Sequence, residues 1–110
     1  MNIEVISYLG LKKPYKIEIR SKSNKAMTAG YYAILTKNNK LHSHLIRIYM
    51  GNVVEDIRSL ETLIIHELIH AWQQEQGFTD IHGPSFQYMA HLISIHFKIP
   101  NLYLPDVDTP

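Results

Sequence analysis

Residues 55–76 constrain the fold more than any other part of the chain. At 100° per residue, Ile57, Leu60, Ile64, Ile65, Leu68, Ile69, Ala71 and Trp72 spread over about half the circumference of a helix. A single neighbour cannot cover an apolar arc that wide. The spacing therefore predicts a central core helix, running from Glu55 or Asp56 to Gln76 and covered on several sides. The acids near its start suit the positive end of the helix dipole, and Gly77 supplies a left-handed stop. With 110 residues in all, the chain has room for one domain around such a helix.

The flanking sequence supplies the cover. Residues 3–9 fit a strand or a short helix equally well. Residues 16–20 alternate, with Ile17 and Ile19 on one face. Residues 30–36 and 41–50 are rich in β-branched and aromatic side chains, and Lys37-Asn38-Asn39-Lys40 lies between them. Asparagine tolerates positive φ, so this pattern reads as a hairpin. Pro84 sits where a first helical turn accepts it, and Phe86, Met89, Ala90, Ile93 and Phe97 follow at helical spacing. The expected fold class is α+β: a small antiparallel sheet, with its hairpin around residues 30–50, packed on the central helix and a second, C-terminal helix. One domain spans 1–110, with residues 100–110 as an extended tail over the surface.

The chain has no cysteine, which removes disulfides, thiolate metal sites and cysteine nucleophiles together. Any metal site must draw on the seven histidines and the carboxylates. No apolar run is long enough to span a bilayer and no signal-peptide layout is present, so a cytoplasmic protein without a membrane partner is expected. The net charge of +1 hides an asymmetry. Residues 1–50 carry nine Lys and Arg against Glu4 and Glu18, and residues 51–110 carry Arg58 and Lys98 against eight acids. A solvated basic sheet beside an acidic helical half explains this plainly. The sharper alternative is a nucleic-acid partner bound through the basic residues within 12–25.

On the central helix stands His66-Glu67-Leu68-Ile69-His70, an H-E-x-x-H motif. Histidines four apart lie one turn above each other, about 40° apart around the axis, so both rings can reach one ion. Glu67 lies on the same side and can lean over the ion's open position without ligating it. Two imidazoles and a third protein group leave Zn²⁺ one site for water, whose proton Glu67 can take and later deliver to a leaving amine. The motif arises by chance in about 2% of chains of this composition, before its place inside a helix is counted. The plain alternative, an exposed face that happens to carry two histidines, therefore carries little weight.

The third ligand separates the possible families. A metzincin would place histidine six residues after His70, where this chain has Gln76. A gluzincin needs a glutamate well downstream, and none follows Glu75. His82 and Asp80 remain. His82 is favoured, because Gly83 and the helix starting at Pro84 allow a short loop to fold it back. Asp80 is the alternative ligand, or a partner that orients a ligand imidazole.

HELIHAWQ, a loop and then HGPSF resemble the SprT-like zinc metallopeptidases, which include the Spartan-type proteases that degrade DNA–protein crosslinks. Met27-Thr28-Ala29-Gly30 resembles that family's Ala-Gly step into a hairpin, and residues 45–51 resemble its last strand. The likeness covers roughly residues 26–97. It implies a minimal zincin-like core with His66, His70 and His82 as ligands of one Zn²⁺ and Glu67 as catalytic acid/base. It implies a zinc metalloendopeptidase acting on protein or peptide substrates. Many relatives add a cysteine zinc ribbon, which a chain without cysteine lacks. A non-catalytic or nucleic-acid-associated zinc-binding module is the rival reading.

Other residues attract attention. His42 and His44 share a strand face, where cross-strand or surface packing is expected. His91 is expected in solvent, His96 at a helix C-terminus and Trp72 in the core. Tyr31, Tyr32, Tyr88 and His91 are candidates to stabilise an oxyanion. The strand at 41–50 is the expected edge for main-chain pairing with substrate.

Overall fold

The computed structural model describes residues 3–20, 30–50, 59–99 and 102. Its first element is helix α1 (Ile3–Leu9), one of the two forms that residues 3–9 allow. Val5 and Leu9 stand one turn apart and are both buried, so the segment presents a helical stripe to the core.

Three strands follow: β1 (Tyr15–Arg20), β2 (Gly30–Lys37) and β3 (Lys40–Tyr49). The hairpin forms as expected between β2 and β3, turning at Asn38 and Asn39 with φ of 55° and 62°. Two successive positive φ values match the right-handed twist of the strands they join. The expectation of a purely antiparallel sheet needs one amendment. β1 pairs in parallel with the far edge of β3, from Tyr15 opposite His44 to Arg20 opposite Tyr49, so the sheet is mixed and ordered β1-β3-β2. This register puts Tyr15 and Ile17 on the face shared by His44, Ile46 and Ile48.

Helix α2 (Leu60–Gln76) crosses that face. It starts later than the apolar spacing indicates. Ser59 is extended (φ −72°, ψ 163°) and its Oγ accepts the Thr62 N–H, so Ser59 is the N-cap. Glu55, Asp56 and Ile57 lie outside the described residues. At the other end Gly77 adopts φ 80° and its N–H returns to the last turn, as the sequence indicates. Residues 62–71 are buried on every side of the helix, as the wide apolar arc requires.

Helix α3 (Pro84–Phe97) has proline in its first turn and packs on α2 through Phe86, Met89, Ala90 and Ile93. The core joins these residues to Val5 and Leu9 of α1, Ile46 and Ile48 of β3, and Leu63, Ile65, Leu68 and Ile69 of α2. The extended tail expected for residues 100–110 lies outside the described residues except at Leu102, which is fully buried. Among the described residues no helix is long and apolar enough to cross a membrane.

Candidate metal centre

His66 and His70 lie one turn apart on α2, and the turn at Asp80–Gly83 brings His82 up to them. That turn closes with a bond from the Gly83 N–H to the Asp80 carbonyl. A Cβ on residue 83 would stand 2.8 Å from that carbonyl oxygen and 3.0 Å from the Asp80 carboxylate, so only glycine fits. The His82 Nε2 lies 3.2 Å from the His66 Nε2 and 3.1 Å from the His70 Nε2. Ligand nitrogens of a tetrahedral Zn²⁺, bound at about 2.0–2.1 Å, stand roughly 3.3–3.4 Å apart. The two separations from His82 are close to that spacing, and all three ligand atoms lie within 4.8 Å of one another.

Their partners set which nitrogen faces the centre. The His66 Nδ1 is 3.2 Å from the Leu102 carbonyl oxygen, which can only accept, so Nδ1 carries the proton and Nε2 offers a lone pair. For His70 the same result comes through a longer chain. Its Nδ1–H donates to Gln73 Oε1 (2.8 Å), the Gln73 Nε2 donates to Ser85 Oγ (2.8 Å), and the Ser85 hydroxyl donates to Asp80 Oδ1 (2.5 Å). The Ser85 N–H holds the other Asp80 oxygen at 2.6 Å. Every donor points the same way, towards a carboxylate. The bonds from Ser85 hold the Asp80 carboxyl below its usual range. Asp80 is thus engaged with Ser85, and it acts on His70 at two removes.

Phe86 forms the floor. Its ring is fully buried, with centroids 4.7 Å from His66, 4.9 Å from His70 and 5.1 Å from His82. The spacing that marks Phe86 as a core residue also places it beneath all three imidazoles.

Glu67 is 1% exposed. It lies against the first residue of β2: a Cβ on Gly30 would stand 2.8 Å from the Glu67 Oε2. The backbone of β2 comes this close to the carboxylate because residue 30 has no side chain. Two residues along the same strand face, the Tyr32 ring lies 6.4 Å from the His70 ring. Of the four candidates for an oxyanion donor, Tyr32 lies on the sheet face that meets α2. Tyr31 lies on the opposite face, and Tyr88 and His91 are exposed.

His42 and His96 are exposed, and the His96 ring lies 5.6 Å from that of Tyr8. Trp72 sits at the margin of the core against Phe78. His44 takes the cross-strand form of its expected packing, bonded to Tyr32 on β2, but it is wholly buried and is also hydrogen-bonded to Glu75. The sequence holds one trace of the Gln73 link, its position three residues after His70 on the same helix face. It holds no trace of the Gly30 seat beyond the glycine itself. The strand at 41–50 cannot offer a pairing edge, because β3 is central and bonded to β1 on one side and β2 on the other.

The family model described as the SprT-like family matches residues 7–103. No curated protein and no solved structure matches the chain.

Proposed function

Since the chain belongs to the SprT-like family, we propose that it is a zinc-dependent metallopeptidase that hydrolyses peptide bonds in protein substrates. The observation that carries this reading is a cluster of three imidazoles that can hold one ion, with the buried carboxylate of Glu67 on the helix that bears two of them. His66, His70 and His82 would be the ligands, an all-nitrogen set of a kind that suits Zn²⁺. When bound there, the ion supplies Lewis-acid chemistry, lowering the pKa of water and polarising a carbonyl.

The chain's own residues supply the rest. Glu67 takes a proton from the water that attacks the peptide carbonyl. It then delivers that proton to the amide nitrogen as the C–N bond breaks. Gly30 limits where the carboxylate can sit. Leu102 and Gln73 keep the ring protons of His66 and His70 turned away from the centre. Among the described residues β2 is an edge strand, and its inward face meets Glu67 and His70. An extended substrate backbone would pair along β2, in place of the 41–50 strand. Unstructured or locally opened protein segments meet that requirement.

Glu67→Gln tests the proposal. The variant should bind one zinc per chain and lose about 10²–10⁴-fold in kcat on an unstructured peptide, the usual contribution of a general base. Cleavage at the wild-type rate would overturn the mechanism.

A second reading, association with nucleic acid, has one observation in its favour. Lys16, Arg20 and Arg47 gather around Glu18 on the sheet face away from α2, leaving cationic excess beside Tyr31 and Tyr49. Lys22 and Lys25 lie outside the described residues. Binding of DNA by the Glu67→Gln protein that weakens steeply with salt, and is lost on neutralising Lys16, Arg20 and Arg47, would support it. Binding that is flat across salt would reject it.

A further inference from the structure

A second chain of buried polar groups ends beside the metal centre. Glu75 lies in the last turn of α2, where the helix dipole disfavours a carboxylate. Its side chain is nevertheless 7% exposed. Three donors compensate: the Lys12 N–H (2.7 Å), the Lys13 N–H (3.0 Å) and the His44 Nε2 (2.6 Å). Burial alone would raise this carboxyl, but those bonds outweigh it and hold it below the usual carboxylate range. With its Nε2 proton given to Glu75, His44 accepts at Nδ1 from the Tyr32 hydroxyl, 2.7 Å away. Each proton therefore has one place to go.

Stability does not call for this arrangement. At the centre of a sheet a well-packed apolar residue serves at least as well as a buried imidazole–carboxylate pair. What the chain does is tie four parts of the molecule together: the α1–β1 connection, the end of α2, β3 and β2. Its last member, Tyr32, has its ring beside His70 and lies two residues from the glycine against Glu67. The Tyr32 proton is committed to His44, which removes it from use as an oxyanion donor in this arrangement.

We infer that Glu75, His44 and Tyr32 form a clamp that fixes β2 against α2, making Tyr32 a positioning residue for substrate bound along the β2 edge. The inference rests on the metallopeptidase reading for its substrate and on the hydrogen-bond chain for its mechanics. Tyr32→Phe keeps the ring beside His70 and removes the tie to His44. Glu75→Gln keeps the shape at the other end and removes the charge. Both act on one chain, so their effects should not add.

The test is a double-mutant cycle on the zinc-loaded full chain, with an unstructured fluorogenic peptide as substrate. Each single variant should raise KM about tenfold, leave kcat within about threefold and keep one zinc per chain. The double variant should be no worse than the poorer single. Amide hydrogen exchange along β2 should quicken in the same non-additive way. A purely structural role would lower the unfolding midpoint and leave KM unchanged, and that outcome would overturn the clamp. So would a KM penalty that multiplies to about a hundredfold in the double variant. If the wild-type protein cleaved no peptide, the metallopeptidase reading would fall, and the exchange cycle would decide the clamp alone.

Discussion

Replacing Gly30 by alanine asks how tightly the carboxylate of Glu67 is seated. The new Cβ would stand 2.8 Å from Oε2 and 3.3 Å from both Cδ and Cγ of Glu67. A relaxed carbon–oxygen contact is roughly 3.3–3.4 Å, so the carboxylate or the strand must retreat by about half an ångström. Gly30 is not in the left-handed region, so the penalty is one of space and not of backbone strain. Glu67 has no solvent to swing into, being 1% exposed. Overpacking of this kind costs about 1–3 kcal/mol, or roughly 4–12 °C in the unfolding midpoint of a domain this size. A misplacement of about 1 Å can lower a rate about a hundredfold, so half that distance should lower kcat by roughly tenfold or more. Zinc content should not change, since no ligand nitrogen is touched. Thermal unfolding, metal analysis and steady-state cleavage of one peptide measure all three. An alanine variant with wild-type kcat and an unchanged midpoint would show that β2 does not seat the base.

Other perturbations separate the remaining parts. Ser85→Ala or Gln73→Leu should weaken zinc binding about 10–100-fold by freeing the His70 ring, as competition with a chromophoric chelator would show; unchanged affinity would disconnect the Asp80–Ser85–Gln73 chain from the site. Zinc at a hundred times its Kd should stabilise the protein by about 2.7 kcal/mol, and this increment should vanish with chelator and in His82→Ala. Asp80→Ala should keep one zinc per chain at reduced affinity, and the opposite pattern would make Asp80 the third ligand. The bonds from His44, Lys12 and Lys13 hold the folded pKa of Glu75 below the ordinary glutamate range, so the unfolded chain binds the proton more readily. Its contribution is therefore complete above about pH 5 and is lost as pH falls through the folded value. Glu75→Gln should flatten that limb of an acid-unfolding curve, and an unaltered limb would contradict the assignment.

Features set by local chemistry were legible in the sequence. The H-E-x-x-H spacing, the stop at Gly77, the turn at Asn38-Asn39 and Pro84 at a helix start each depend on a few adjacent residues. The start of α2 was less legible, because acids at 55 and 56 and a serine at 59 are rival start signals in the sequence, and Ser59 makes the cap. What depended on distant partners could not be read. His44 is exposed or buried according to what β1 and α2 place over it, and Glu75 lies 31 residues further along the chain. The parallel pairing of β1 with β3 has no local signature either, since alternation in residues 16–20 specifies a strand and not its neighbour. That pairing made β3 central and moved the available edge to β2. Gly30 reads only as the step into the hairpin until Glu67 is seen against it.

All three imidazoles come from residues 66–82, one helix and the turn that follows it. The groups that complete their surroundings come from much further away: Gly30 on β2, Leu102 near the end, and the Lys12 and Lys13 amides, 63 and 62 residues from Glu75. Closing a short loop is entropically easier and faster than docking a sheet on a helix. During refolding with zinc present, metal uptake should therefore run ahead of burial of the carboxylate. Stopped-flow metal and fluorescence signals would resolve the two phases, and simultaneous phases would refute the order. On the metallopeptidase reading, a half-assembled molecule would hold its ion without a seated base, which would spare neighbouring unfolded chains, its own included, until the sheet has closed.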